Sequence, residues 1–221
     1  MPILMRIICV RVISCIKILG YLPVRSKKNI FRDNHVIIEY CKLELETRKG
    51  NLLNWNNMMS KPNSSANRDT LFGDMPISAW NGNNSSDEPW VSFQEVEKYL
   101  ESDNTQMATQ ILRKIIETPN LESRHYIQSW HFLKSLGVNP PDDKAREVYG
   151  VIVEVTMKQG VDIVAAYADH TARYFNYSGA AVIWEHPDDS LKEEIENLLD
   201  AGKNIIQNIG PWENERPEVP P

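Results

Sequence analysis

Residues 147–185, EVYGVIVEVTMKQGVDIVAAYADHTARYFNYSGAAVIWE, gather β-branched and aromatic residues into four short runs. Such residues lose rotamer freedom against the preceding turn of a helix but pack well on a pleated surface, so the block reads as strands. Gly160, the Asp169-His170 pair and Ser178-Gly179 supply turn chemistry at the breaks. The pattern predicts an antiparallel meander over 147–157, 161–168, 171–177 and 180–185. A two-residue loop at Asp169-His170 would pair Tyr167 with Ala172, Ala165 with Tyr174 and Val164 with Phe175. Apolar residues then fall on both faces, which predicts cover on both sides.

Helices flank this block. Ser92 and Glu95 have the spacing of a capping box, and Phe93, Val96, Tyr99 and Leu100 follow on one face. After a turn at 102–104, Met107, Ala108, Ile111, Leu112, Ile115 and Ile116 recur at helical intervals until Pro119. Asn120 is placed to cap a third helix carrying Ile127, Trp130, Leu133 and Leu136, closed by Gly137 in the C′ position. A second capping box, Ser190 with Glu193, opens a last helix whose stripe includes Ile195, Leu198, Leu199 and Ile206. Gly202 interrupts that helix, which predicts close approach to the sheet. The expected fold is α+β: an N-terminal three-helix segment, a four-stranded antiparallel meander and a C-terminal helix packed on the sheet.

Charge divides the chain. Residues 1–58 carry 10 Lys/Arg against 4 Asp/Glu, whereas residues 59–221 carry 14 against 26. Arg6, Arg11 and Lys17 interrupt the early apolar run, so it lacks the roughly 20 apolar positions of a membrane span. It also lacks the uninterrupted centre and small-residue cleavage site of a secretory signal. The absence of acidic residues before Asp33 leaves a transit peptide open, although serine is sparse. Otherwise the break predicts a basic leader over 1–58 that takes no part in the body, either disordered or a mis-called start with Met58 or Met59 as the working one. Residues 59–90 read as a loosely packed polar arm, pinned by Leu71, Phe72, Ile77, Trp80 and Trp90. Residues 91–210 form one domain, and 211–221 a mobile tail. The acidic body has no basic stripe for phosphates, which argues against nucleic acid. All three cysteines lie in the leader, so the body offers neither a disulfide framework nor a thiolate metal site. A cytoplasmic setting is expected.

Candidate chemistry is sparse. No GxSxG elbow, phosphate-cradling glycine loop, HExxH or CxxC motif occurs. His125 and His131 are six residues apart, about 240° around a helix, so they do not make a paired metal site. Arg124-His125-Tyr126, with Glu122 alongside, reads as an exposed polar corner that could bind an anion or a partner. Arg173 in mid-strand calls for a carboxylate such as Glu154, or else recognises a ligand. Asp162, Asp169, His170 and His186 flank the turns and could do acid–base work only by converging. Asp169 and His170 are expected to be solvated. The binding candidates are therefore His125, Arg124, Arg173, Tyr174 and Asp162, with no catalytic set, no metal ligands and no cofactor. Two functions compete: a non-enzymatic module that binds a protein partner, and a small-molecule sensor or enzyme with a pocket between the sheet and the third helix.

The stretches DTLFGDMPISAW, LESRHYIQSWHFLKSLG, EVYGVIVEV, DIVAAYADHTARYFNYSGAAVIWE and IGPWE resemble an uncharacterised bacterial protein family over about residues 69–214. The resemblance implies a start near Met59 and brings no activity, cofactor or site residue. Glycine would be usual where His170 stands. Tyr99, Ala108 and Pro119 make the first helical pair similar to a tetratricopeptide hairpin, without the repeat at 34 residues.

Overall fold

The computed structural model describes residues 5–6, 10–12, 15–16, 64–80, 82, 85–157, 160–177 and 180–208. The expectations for Met59, for the rest of the leader and for the tail at 211–221 lie outside these residues.

The protein is α+β, with five helices and an antiparallel sheet among the described residues. Helix α1 (Ser64–Phe72) and a 3-10 turn (Ile77–Ala79) precede α2 (Trp90–Glu101), α3 (Thr105–Glu117) and α4 (Ser123–Ser135). The sheet begins with three short leader strands, β1 (Met5–Arg6), β2 (Val10–Val12) and β3 (Cys15–Ile16). Its body is β4 (Val148–Met157), β5 (Gly160–Tyr167), β6 (Ala172–Phe175) and β7 (Ala181–Trp184). Helix α5 (Lys192–Ile206) closes the described chain.

Neighbouring strands β4, β5, β6 and β7 pair in sequence order, so the predicted meander is the sheet observed. Its register differs from expectation by one residue. Ala166 faces Ala172, Ala165 faces Arg173 and Val164 faces Tyr174. The β5–β6 loop has three residues, not two, because Tyr167 N–H donates to the Thr171 carbonyl at 3.0 Å. His170 takes φ 63° in that loop, a conformation more usual for Gly or Asn. A one-residue slip moves every side chain to the other face. Arg173 therefore lies on the face of Ile152, Ile163, Ala165 and Tyr167, and Tyr174 on the opposite one.

On the Tyr174 face, Val151, Val153, Val164, Ala172, Tyr174, Val182 and Trp184 meet Leu191, Ile195, Leu198 and Leu199 in one core. Gly202 is buried in the same helix. On the other face, Ile152, Ile163, Ala165 and Tyr167 pack against Leu71, Phe72 and Ile127 of α1 and α4. Beyond it, α2, α3 and α4 enclose a helical core around Phe93, Val96, Leu112 and Leu133.

The polar arm is better anchored than its composition implies. Leu71, Phe72 and Trp80 are buried, and Arg68 lies against Glu154 with Nη2 donating to Oε2 at 3.0 Å. The buried Gln128 amide meets both backbone groups of Met75, accepting from its N–H at 3.2 Å and donating to its carbonyl at 2.8 Å. The leader strands run along β4, with Met5 and Arg6 opposite Val155 and Glu154, and Val10 opposite Val151. For these residues the expectation that the leader takes no part in the sheet does not hold.

Caps also differ. Helix α2 starts at Trp90 after Pro89, without a side-chain cap, and Ser92 Oγ donates to Glu88 at 2.7 Å. Helix α5 likewise has no side-chain cap at Leu191, since Asp188 turns back to accept from Ser190 N–H. Asn104, by contrast, caps α3 by accepting from Met107 N–H. The α4 exit follows the expected glycine motif: Gly137 at φ 80°, with Val138 N–H reaching the Leu133 carbonyl at 2.9 Å.

Candidate functional site

The N-terminus of α4 sits over the end of the sheet where β5 turns into β6. Its cap comes from across the molecule. Ser123 N–H donates to Asp169 Oδ2 at 2.6 Å, and Asp169 N–H donates to Ser123 Oγ at 3.1 Å. Asp169 Oδ1 also accepts from the Thr171 N–H and hydroxyl. Asp169 is thus a structural clasp, not the solvated turn residue expected, and Asn120 does not cap the helix.

This clasp holds a compact charged layer. The Arg124 guanidinium donates to Glu122 Oε2 at 2.7 Å and lies 5.9 Å from the Trp80 ring centre. Arg173, nearly enclosed, reaches Glu185 at 3.2 Å and Glu122 at 3.6 Å and lies 5.9 Å from the Tyr167 ring. Its predicted partner Glu154 is instead taken by Arg68. Burial pushes the Glu122 carboxyl up, and the Arg124 guanidinium with His125 and Arg173 more than offsets this, leaving it below its ordinary value. Burial, reinforced by Arg124, lowers the Arg173 pKa, although the group remains charged.

His125 is buried, not exposed as the sequence implied. Its ring centre lies 4.8 Å from Trp90 and 6.1 Å from both Trp80 and Phe93. Burial drives its pKa down to about 4, so the imidazole is neutral at physiological pH. Neither ring nitrogen has a hydrogen-bond partner, nor do Trp80 Nε1 and Arg173 Nη1 nearby.

Tyr174 and Asp162 meet on the other side of the sheet. The Tyr174 hydroxyl donates to Asp162 Oδ2 at 2.8 Å, and Tyr177 N–H donates to Oδ1 at 2.9 Å. The five sequence candidates therefore form two groups separated by the strands: His125, Arg124 and Arg173 under α4, and Asp162 with Tyr174 on the α5 side. The first three gather with Glu122 and Glu185. The second pair forms a satisfied structural contact.

Sequence reasoning missed one association. His170 and His186 lie with ring centres 5.2 Å apart. The signal was available in a meander, whose alternate turns return to the same end of the sheet. Among the described residues no helix is long and apolar enough to cross a membrane. The fold thus defines an α+β protein with an antiparallel sheet covered on both faces. No protein family, curated protein or solved structure matches the chain.

Proposed function

We propose that the protein is a non-enzymatic interaction module acting in the cytoplasm, with a protein partner as its ligand. The observation that carries this reading is the division of polar candidates by the sheet. Asp162 and Tyr174 satisfy each other on one side, and Arg124 and Arg173 are engaged by carboxylates on the other. Acid–base catalysis needs a positioned group within hydrogen-bond reach of substrate, whereas the candidate histidine His125 is enclosed by aromatic rings and Asp162 is held by Tyr174. Among the described residues the large apolar side chains left exposed, Tyr177 and Ile183, both lie on the β6–β7 hairpin. Strand β7 ends the sheet, with one backbone edge unpaired among the described residues. An extended partner segment added to that edge would gain main-chain hydrogen bonds and cover Ile183.

Site-specific photo-cross-linking in the native host tests this. A probe at Ile183 should capture one discrete protein, and Arg173→Lys should leave that capture intact, while Ile183→Lys with the probe moved to Ala181 should abolish it. Equal capture by Ile183→Lys, or no discrete product, refutes the reading.

A second reading draws on the α4 side alone. Unpartnered donors on Arg173, Trp80 and His125 in one layer are what a small polar ligand between α4 and the sheet would satisfy. Binding of such a ligand would be lost in Arg173→Ala and unchanged in Asp162→Asn.

A further inference from the structure

The register of the last hairpin aims two histidines at each other. Ala172 is paired with Trp184 across β6 and β7. Two residues beyond each, on the same face and at the same end, stand His170 and His186. Both adopt left-handed backbone conformations, with φ 63° and 51°. That region is uncommon for residues other than glycine, and its occurrence at both members of one contact marks a place where the chain accepts strain. The result is an edge-to-face imidazole pair with centres 5.2 Å apart.

Each imidazole also has a carboxylate. His170 Nε2 is 3.3 Å from Glu196 Oε1, and His186 Nε2 is 3.3 Å from Asp189 Oδ1. These distances are long for a charge-assisted hydrogen bond, which closes to about 2.7–2.9 Å. Each ring is therefore only loosely tethered by its carboxylate, and the two rings lie close enough to share one ligand.

We propose that His170 and His186, with Glu196 and Asp189, form a surface site for a divalent transition-metal ion that accepts mixed imidazole and carboxylate donors, zinc, nickel or copper by class. Among the described residues no three such side chains already converge on one point, so the site closes by rotation of the imidazoles about their side-chain bonds. Both rings have the freedom to do so, with 25% and 33% of their side-chain surface exposed. Local charge favours a cation: residues 185–196 hold six carboxylates against Lys192 alone. A bound ion would tie the β5–β6 loop to the segment leading into α5. This assignment is independent of the interaction reading above.

The test is titration of the full, reduced chain with Zn²⁺, followed by calorimetry, and with Ni²⁺, followed by paramagnetic broadening of amide signals. Broadening should centre on residues 168–172 and 184–190 at micromolar metal. His170→Asn and His186→Asn keep a residue that tolerates positive φ. Each should weaken zinc binding at this site by tenfold or more, with the thermal transition retained. If broadening lies elsewhere, or one zinc equivalent binds equally to wild type and both variants, the assignment is wrong. Zinc held by the leader cysteines would show the second pattern. Should either variant fail to fold, the wild-type broadening map alone decides.

Discussion

Ser123 and Asp169, 46 residues apart, each hold the other's backbone: the amide of each donates to the side chain of its partner. The exchange satisfies an orphan N–H at the start of α4 with a carboxylate, where the helix dipole also favours negative charge. It fixes the helical layer to the β5–β6 loop. Asp169→Ala should cost about 2 kcal/mol in urea unfolding, the upper end of the range for losing a cap, because Thr171 loses its acceptor as well. A cycle with Ser123→Ala should show coupling of at least 0.5 kcal/mol. Additive effects would mean that the clasp contributes little.

His125 makes stability depend on pH. Its pKa falls from 6.5 in the unfolded chain to about 4 in the folded one, through burial among Trp80, Trp90 and Phe93. Below 6.5 the unfolded chain takes up a proton that the folded chain refuses. The stabilisation is therefore fully present above pH 6.5 and is lost as pH falls towards 4, on the order of 3 kcal/mol in all. His125→Phe should flatten the stability profile between pH 4.5 and 6.5. An unchanged slope would place the acid sensitivity elsewhere.

Arg68 and Glu154 are both buried, and removing Glu154 breaks an ion pair held out of water. Glu154→Ala should destabilise by about 3–5 kcal/mol, whereas Arg68→Met with Glu154→Leu together should cost far less. Chemical denaturation of the three variants measures this. A double variant as unstable as the single one would show that packing, not charge, governs the site.

Gly150 stands opposite Tyr167 in the β4–β5 register. A Cβ there would come within 2.6 Å of the Tyr167 ring. That ring is fully buried, and its hydroxyl donates to the Leu71 carbonyl at 2.9 Å. Gly150→Ala should cost about 1–3 kcal/mol through overpacking, read as a lowered urea midpoint. Tyr167→Phe should cost less, since it removes the hydroxyl and leaves the ring in place.

The elements themselves were legible because periodicity reports burial directly. Phe93 and Val96, then Ala108, Leu112 and Ile115, are the residues the helices bury. What escaped was whatever depends on one residue of offset or on a distant partner. Two- and three-residue loops at Asp169-His170 look alike in sequence, yet the choice decides that Arg173 faces Glu122 and not the α5 core. Ser92-Glu95 has capping-box spacing, but the helix begins earlier and Ser92 turns to Glu88. His125 looked exposed beside Arg124 because its aromatic enclosure comes from Trp80 and Trp90, far up the chain. The Asp162–Tyr174 bond follows from the same register that separates that pair from His125.

The two borders of the sheet carry different burdens. Strand β7 is four residues long and has no partner on its outer edge among the described residues, while β4 runs for ten and lies beside the leader segments. A naked ten-residue strand rich in valine is a template for indiscriminate pairing with other chains. The leader strands give β4 main-chain partners along part of that border. A proline at Val10 or Arg11 would deprive β4 of a hydrogen-bonding neighbour and invite self-association.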